Sequence, residues 1–120
     1  MGGIMITKIA DNIISPLGYG SNANFKAVLS GETMLCKHVD SFGLPEPFCG
    51  SLLNRDEIIS LANAEIACAE NYTFFEKLCI LSAKSAITDC NLSPRESNVI
   101  FILSTTKGNV DCLENSLEDS

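Results

Sequence analysis

The clearest pattern in the chain is a pair of short apolar stretches, residues 4–9 near the start and residues 99–103 near the end. The second stretch, Val-Ile-Phe-Ile-Leu, has no polar alternation, which is typical of a strand buried on both faces of a parallel sheet. Two strands do not provide that burial for each other. The pattern therefore predicts either that these residues are the opening portion of a larger α/β protein or that the sheet is completed by a partner.

The first predicted helix follows a turn that contains Pro16, which is excluded from a helix interior. Ser21 or Asn22 is the expected N-cap, and Gly31 suits the left-handed residue that closes a helix. Its apolar face is formed by Phe25, Val28 and Leu29. Residues 32–53 contain two prolines and two glycines and are predicted to be irregular, as in a segment that wraps a neighbouring surface or forms part of a functional mouth.

Two further helices are predicted from capping signals. Asn54, with Glu57 three residues later, begins one, and Thr73 with Glu76 forms a capping box for the next. The apolar face of the earlier helix consists of Ile58, Leu61, Ala62 and Ile66. The later helix presents a face of small and apolar residues, namely Phe75, Leu78, Cys79, Ser82, Ala86 and Cys90, and ends at Asn91 and Pro94. A C-terminal helix is predicted on Val110, Leu113 and Leu117.

Charge and composition exclude several classes of protein. With 8 basic and 15 acidic residues the formal charge is −7, and no basic stripe for nucleic acid is present. Four of the acids, Asp111, Glu114, Glu118 and Asp119, crowd the C-terminal end as in a solvated helix face or tail. No apolar run approaches the roughly 20 residues that a membrane-spanning helix needs. We expect a cytoplasmic protein with no nucleic-acid or membrane partner.

Six cysteines raise the question of disulfides or zinc. They stand at positions 36, 49, 68, 79, 90 and 112, without a Cys-x-x-Cys pair and with His38 as the single histidine. Metal binding is therefore not expected. Positions 68, 79 and 90 recur every eleven residues, but Asn71 and the cap at Thr73 argue against one helix through all three. We predict small buried hydrophobic side chains in a reducing compartment.

Three candidate sites remain, and each has an ordinary structural alternative. Residues 18–23 fit Gly-x-Gly-x-x-Ala, with Asp40 as a ribose-binding acid, but a dinucleotide loop follows its strand directly and this one does not. Cys36 and His38 would be a thiolate and base, yet no oxyanion-hole motif accompanies them. Lys107 before a helix would meet an anion, although a solvated lysine is the default. The residues specify no catalytic, cofactor or metal site.

Two adjoining segments carry a resemblance to a known family: residues 13–20, Ile-Ile-Ser-Pro-Leu-Gly-Tyr-Gly, and residues 24–33, Asn-Phe-Lys-Ala-Val-Leu-Ser-Gly-Glu-Thr. They resemble the N-terminus of the β-ketoacyl-acyl-carrier-protein synthases, condensing enzymes with a thiolase-like fold. That family opens with a strand, a Ser-Pro-x-Gly turn and a helix with an aromatic residue and a closing glycine. Residues 83–92 and 99–108 are similar to a later helix ending and to a later strand of the family.

The chain departs from the family pattern at several positions. Ala10 and Asn12 replace a glycine pair, Phe25 replaces the commoner tryptophan, and residues 104–106, Ser-Thr-Thr, replace Gly-Thr-Gly. These departures are typical of divergent members that act in polyketide or polyene synthesis rather than in housekeeping fatty-acid biosynthesis.

The resemblance implies a transferase chemistry that these residues do not complete. In the family, an acyl group moves from a carrier protein to a cysteine at a strand-to-helix turn, and later histidines assist decarboxylation of a malonyl unit and a Claisen condensation. No cysteine of this chain matches that nucleophile motif, and His38 lies in a different region. The resemblance therefore implies that residues 1–120 are one partial thiolase-like N-terminal domain, an incomplete mixed sheet with packed helices, inactive by itself.

Two other functions stay open. The chain is either part of a non-catalytic ketosynthase-like partner or scaffolding subunit, or a small free-standing α/β binding protein. Under the family interpretation the expected partners are an acyl carrier protein, docking mainly outside this chain because its basic residues are few, and a second subunit in a homodimer or heterodimer. No cofactor is implied.

Overall fold

A computed structural model describes residues 3–91, 93, 95, 96, 98–110, 112 and 113 of the chain. The elements are, in order, β1 (Ile14–Ser15), β2 (Gly18–Tyr19), α1 (Ser21–Leu29), β3 (Cys36–His38), β4 (Phe48–Gly50), α2 (Arg55–Glu65), a 3₁₀ turn (Ala69–Asn71) and α3 (Phe74–Thr88). Both sheets are two-stranded and antiparallel, β1 with β2 and β3 with β4. The described residues are therefore mixed α/β, as the sequence predicts.

The two long apolar strands predicted at 4–9 and 99–103 are wrong for the described residues, because neither stretch is in a sheet. A strand is defined by hydrogen bonds to a neighbour, and none of the described residues lies beside these stretches as a paired strand. Their side chains are bare as a result: Ile4 is 97% exposed and Ile102 is 92% exposed. The prediction that these apolar side chains need burial by further chain or by a partner is not tested by the described residues.

The segment predicted as irregular contains a short hairpin. β3 and β4 pair with Cys36 opposite Gly50 and His38 opposite Phe48. The rings of His38 and Phe48 lie 5.1 Å apart, and Phe42 from the connecting loop lies 6.1 Å from Phe48. Cross-strand pairs with aromatic rings stabilise antiparallel strands, which accounts for a hairpin in a proline-rich segment.

Helix α1 spans the predicted residues, but its cap and its buried face differ from the prediction. Gly20 is the N-cap and makes no side-chain cap bond, so Ser21 and Asn22 do not have that role. Gly31 has the expected left-handed φ of 75°. The buried residues are Asn24 and Ala27, whereas the predicted face lies exposed: Phe25, Val28 and Leu29. No described layer covers that face.

Helices α2 and α3 begin at the predicted caps and pack on one another. The Asn54 side chain accepts a hydrogen bond from the Glu57 backbone N–H at 3.1 Å. The capping box of α3 is complete, with Thr73 Oγ1 accepting from the Glu76 N–H and the Glu76 carboxylate accepting from the Thr73 N–H. The buried residues between these elements are Ile58, Ala62, Ala69 and Leu81. Leu81 does not belong to the apolar face predicted for α3. The side chains of that predicted face are half-buried.

The chain breaks between α2 and α3, so Cys68 and Cys79 do not share a helix, as predicted. Ile66 is extended and Cys68 has a left-handed φ of 55°. The prediction of buried cysteines is wrong: Cys36, Cys49, Cys68 and Cys112 are exposed, and Cys79 and Cys90 are half-buried. Of the predicted C-terminal helix, the structure describes Cys112 and Leu113, and both are helical. Several other predicted features lie outside the described residues: Pro94, Leu117 and the acidic cluster of Asp111, Glu114, Glu118 and Asp119.

Candidate functional site

The glycine turn at residues 18–20 packs on its own helix. A Cβ added at Gly18 would lie 2.8 Å from the Ala23 Cβ, closer than two such carbons approach. Glycine at position 18 is therefore required by contact with α1, and no nucleotide phosphate is needed to explain it. Asp40, the proposed ribose-binding acid, lies in the loop between β3 and β4, in a different part of the chain from the turn.

Cys36 and His38 lie on strand β3, where residues two apart share a face. The imidazole is engaged elsewhere, because His38 Nε2 lies 3.1 Å from the Gly50 carbonyl oxygen and its ring packs on Phe48. Among the described residues no hydrogen bond joins the Cys36 thiol to His38. The hairpin therefore uses His38 as a structural residue.

The loop that carries Lys107 docks on the N-terminal end of α3. Thr73 Oγ1 donates to Asn109 Oδ1 at 2.7 Å while it also accepts the helix N–H of Glu76. Gly108, at a left-handed φ of 59°, approaches Phe75. Lys107 is exposed. The start of α3 is thus occupied by its own capping residues and by Asn109. The helix predicted after Lys107 is a different one, and most of its length lies outside the described residues, so the anion site at Lys107 stays a prediction.

Among the described residues, the Asn24 side chain has the most hydrogen-bond partners, and it is 6% exposed. The two hydrogens of its Nδ2 are shared among the carbonyl oxygens of Ile13, Gly18 and Gly20, which lie 3.2, 2.9 and 2.8 Å from the nitrogen. Its Oδ1 accepts from the Ser15 hydroxyl, which in turn accepts the Leu17 N–H at 3.1 Å. One amide therefore satisfies both sides of the Ser-Pro-x-Gly turn and fixes that turn on α1.

A shallow groove of about 190 Å³ runs along the small-residue face of α3. The helix contributes Cys79, Ser82, Ala83, Ala86 and Ile87, and Cys90 lies just beyond its C-terminal end. Residues 10–12 form one wall and residues 99–103 form another. Asn12 Nδ2 donates to Ser82 Oγ at 2.8 Å and ties the N-terminal segment to the helix. The groove is the place where residues 10–12, which follow the first apolar segment, and the second apolar segment lie on one side of α3.

The groove is suited to packing rather than to nucleophilic chemistry. Desolvation by burial, and then the nearby charge of Glu76, raise the pKa of the Cys79 thiol above its usual value. A thiol with a raised pKa is protonated at neutral pH, and the thiolate is the nucleophilic form. Cys79 therefore resembles a structural cysteine.

A second contact joins the turn to α2. Burial and then the charge of Glu57 raise the pKa of Tyr19 above its ordinary value. On the other side of α2, the Arg55 guanidinium lies 4.0 Å from the centre of the Phe74 ring, a cation–π contact with α3. The first turn of α2 thus interacts with both the Ser-Pro-x-Gly turn and α3.

The Tyr19 contact predicts a specific pH dependence. Because the pKa of Tyr19 is higher in the folded chain than in the unfolded chain, its contribution to stability is intact below the unfolded pKa and is lost as the pH rises through the folded pKa. We expect Glu57→Gln to lower the pKa of Tyr19 in the folded chain. The pKa is measured from tyrosinate absorbance in a Tyr72→Phe background, so that Tyr19 is the single tyrosine. Asp56→Asn, one residue away on the same helix turn, is the control. An equal effect of both substitutions would contradict this assignment.

The described part of the chain contains no group of three or more His, Cys, Asp or Glu side chains that would hold a metal ion. Within the same residues no helix has the length and apolar character to cross a membrane. Comparison of the chain with protein-family models, with curated proteins and with solved structures finds no match.

Asn24 is the important residue that the sequence did not reveal. A signal was present, because asparagine is a poor helix former and stands here in the first turn of α1 without serving as its cap. Such a position suggests that the side chain bonds to backbone groups outside the helix. The three carbonyl partners still depend on the turn geometry, which the sequence pattern does not specify.

Proposed function

We propose that this chain is the first part of a divergent β-ketoacyl-acyl-carrier-protein synthase-like protein with a thiolase-like fold. The family reaction is a decarboxylative Claisen condensation of acyl and malonyl thioesters, in fatty-acid or polyketide biosynthesis. The 120 residues alone have no acyltransferase activity under this proposal and are located in the cytoplasm. Their role is to build one part of the scaffold on which the catalytic residues are carried.

The observation that carries the proposal is the Ser-Pro-x-Gly turn on α1. Two distinctive residues of this motif have a physical reason to be present: Ser15 bonds to Asn24 and caps the Leu17 N–H, and Gly18 leaves room for Ala23. A motif whose side chains are fixed by mutual contacts is a more specific resemblance than a composition match. The motif is also the most specific part of the likeness to the family.

A second support is the position of the two apolar segments. Residues 10–12, which follow the first segment, and residues 99–103 line the same face of α3. In an α/β fold, neighbouring strands of one sheet lie side by side over a helix. These residues are not strands in the structure, but their position on one face of α3 supports the incomplete-domain interpretation over a small free-standing binding protein.

Acyl transfer to cysteine tests this proposal. The polypeptide encoded by the complete reading frame and the 120-residue chain are each incubated with acyl-loaded carrier protein, and acylation is located by intact mass and peptide mapping. We expect a stable acyl thioester on a cysteine beyond residue 120 in the longer polypeptide and none on the six cysteines of the short chain. Cys79, with its raised thiol pKa, is the internal reference for an unreactive position.

Stoichiometric acylation of any of the six cysteines in the short chain would overturn the proposal, as would a reading frame that encodes no further cysteine and histidine.

The same samples report carrier-protein docking. We expect no salt-sensitive micromolar complex between the short chain and the acidic carrier protein, since Lys8 is paired with Asp11 at 2.7 Å and the net charge is −7. Detection of such a complex would contradict the placement of the docking surface outside this chain.

A further inference from the structure

We propose that the tip of the β3–β4 hairpin binds a small quaternary ammonium compound on the exposed ring of Phe42. The site consists of three aromatic rings and two carboxylates, those of His38, Phe42, Phe48, Asp40 and Glu46. This inference goes beyond the proposed function and does not depend on it, because the hairpin contains none of the residues that carry the resemblance to the condensing enzymes.

The three aromatic rings lie together on the hairpin. His38 and Phe48 are opposite each other in the register, and their ring centres lie 5.1 Å apart. The ring of Phe42, from the connecting loop, lies 6.1 Å from that of Phe48. Phe42 is 73% exposed, so its ring is open to solvent while Phe48 packs beside it. Because the face of an aromatic ring carries partial negative charge, it attracts a cation that is placed over it.

The backbone holds Phe42 in an uncommon conformation. The Leu44 N–H donates to the Ser41 carbonyl oxygen at 3.1 Å and closes a turn. Its two central residues, Phe42 and Gly43, have left-handed φ values of 56° and 66°. A turn with this conformation at both central positions usually has Asn, Asp or Gly in the first of them. A bulky side chain there is strained, and strain of this kind clusters at functional sites.

The charges near these rings favour a cation. Asp40 and Glu46 lie in the same connecting loop and are exposed. Residues 38–54 contain no lysine or arginine. Lys37 is opposite Cys49 in the register, so its side chain lies on the other face of the hairpin from His38. A cation at Phe42 is therefore attracted by two carboxylates of the loop and meets no basic side chain of the hairpin on that face.

The hairpin leaves these groups available. The hydrogen bonds that the structure describes for residues 33–53 all stay within that segment. The described residues include no hydrogen-bond or ion-pair partner for Asp40 or Glu46. Both carboxylates can therefore act on a ligand without first giving up a contact in the described part of the chain.

Hydration decides which cation suits an exposed ring. A primary ammonium is strongly hydrated and donates three hydrogen bonds, so it keeps its water at a site that is open to solvent. A quaternary ammonium has no N–H group, and aromatic rings recognise it through its methyl groups. The two carboxylates repel an anion beside the cation, such as the phosphate of a phospholipid headgroup. The site is therefore suited to a small, soluble quaternary ammonium compound.

The test is saturation-transfer NMR with choline, on the polypeptide encoded by the complete reading frame. Three compounds serve as comparisons: the uncharged isostere of choline in which carbon replaces nitrogen, ethanolamine with a primary ammonium, and phosphocholine with an added anion. We expect saturable transfer to the choline methyl groups and weaker binding of all three comparison compounds. Choline and its isostere have the same shape, so the difference between them isolates the charge.

Three variants locate the site. Phe42→Leu keeps an apolar side chain and removes the ring, and it should raise the dissociation constant of choline about two- to fivefold, the effect of one exposed cation–π contact. Asp40→Asn removes a charge and suits the left-handed φ of 53°, and it should also weaken binding. Phe25→Leu makes the same chemical change on α1, at a residue that is 63% exposed, and should leave the dissociation constant unchanged.

Equal binding of choline and its carbon isostere would overturn the proposal, and this result does not depend on how any variant folds. No saturable binding of choline, equal binding of ethanolamine or phosphocholine, or equal loss in Phe42→Leu and Phe25→Leu would overturn it as well. Failure at the hairpin would leave the acyl-transfer prediction unaffected, because that prediction concerns cysteines beyond residue 120.

Discussion

Replacing Asn24 with alanine is expected to lower the free energy of unfolding by roughly 2 to 3 kcal/mol, since a buried hydrogen bond contributes about 1 kcal/mol and the two amide hydrogens and the amide oxygen of this side chain together make three. The Gly18 carbonyl oxygen would lose the bond from Asn24 and the Ser15 hydroxyl would lose its acceptor, whereas the carbonyl oxygens of Ile13 and Gly20 would each keep a backbone N–H donor, at a site that is 6% exposed. Small domains have a total stability of about 5–15 kcal/mol, so the loss would be a large fraction of the total. Equilibrium unfolding in urea measures it.

Two companion variants separate the hydrogen-bond network from helix propensity. Asn24→Asp keeps the shape of the side chain but replaces the donating amide with a carboxylate, which would face three carbonyl oxygens, and it should be at least as destabilising as alanine. Asn22→Ala makes the same chemical change at an exposed position two residues earlier in α1 and should change stability by less than about 0.5 kcal/mol. Similar losses at positions 22 and 24 would contradict the role assigned to Asn24.

The features that were predictable from sequence are the local ones. The caps at Asn54 and Thr73 and the left-handed Gly31 were all placed correctly. Each depends on residues within three or four positions along the chain, so the sequence carries the whole determinant. The break between α2 and α3 was predictable for the same reason.

The features that were not predictable depend on residues far away in sequence. The strands expected at 4–9 and 99–103 have the composition of strands but no described neighbour with which to pair, and pairing is what defines a strand. The apolar face of α1 is exposed for a related reason, since no described layer lies against Phe25 and Leu29. Apolar periodicity identifies which side chains need burial and does not identify what covers them.

The candidate site illustrates the same limit. The sequence indicated the turn at residues 15–18 through its serine, proline and glycine, but Asn24 at its centre was recognised from contacts that span up to eleven residues. The small-residue face of α3 was predicted, whereas its role as the floor of a groove required the positions of residues 10–12 and 99–103. Composition gave the chemistry of the helix face, and the tertiary arrangement gave its partners.

Truncation of Ile58 to alanine is expected to destabilise the chain by about 2–5 kcal/mol, the range for removing a large aliphatic side chain from a core. Ile58 is fully buried between α2 and α3, in a cluster completed by Ala62, Ala69 and Leu81. Ala62 and Ala69 have small side chains, and Leu81 lies on another helix. Ile58 is the largest of the fully buried side chains among the described residues. The neighbours therefore cannot easily refill the cavity, and we expect the upper part of the range.

The matched control for this prediction is Ile59→Ala, which deletes the same atoms from the next residue of the same helix at a half-buried position. Because the intrinsic change in helix propensity is the same at both positions, the difference between the two variants isolates burial. We expect Ile59→Ala to cost less than about half as much as Ile58→Ala in thermal or urea unfolding. Equal losses would mean that α2 is not packed on α3 through Ile58, and that the described core does not hold the two helices together.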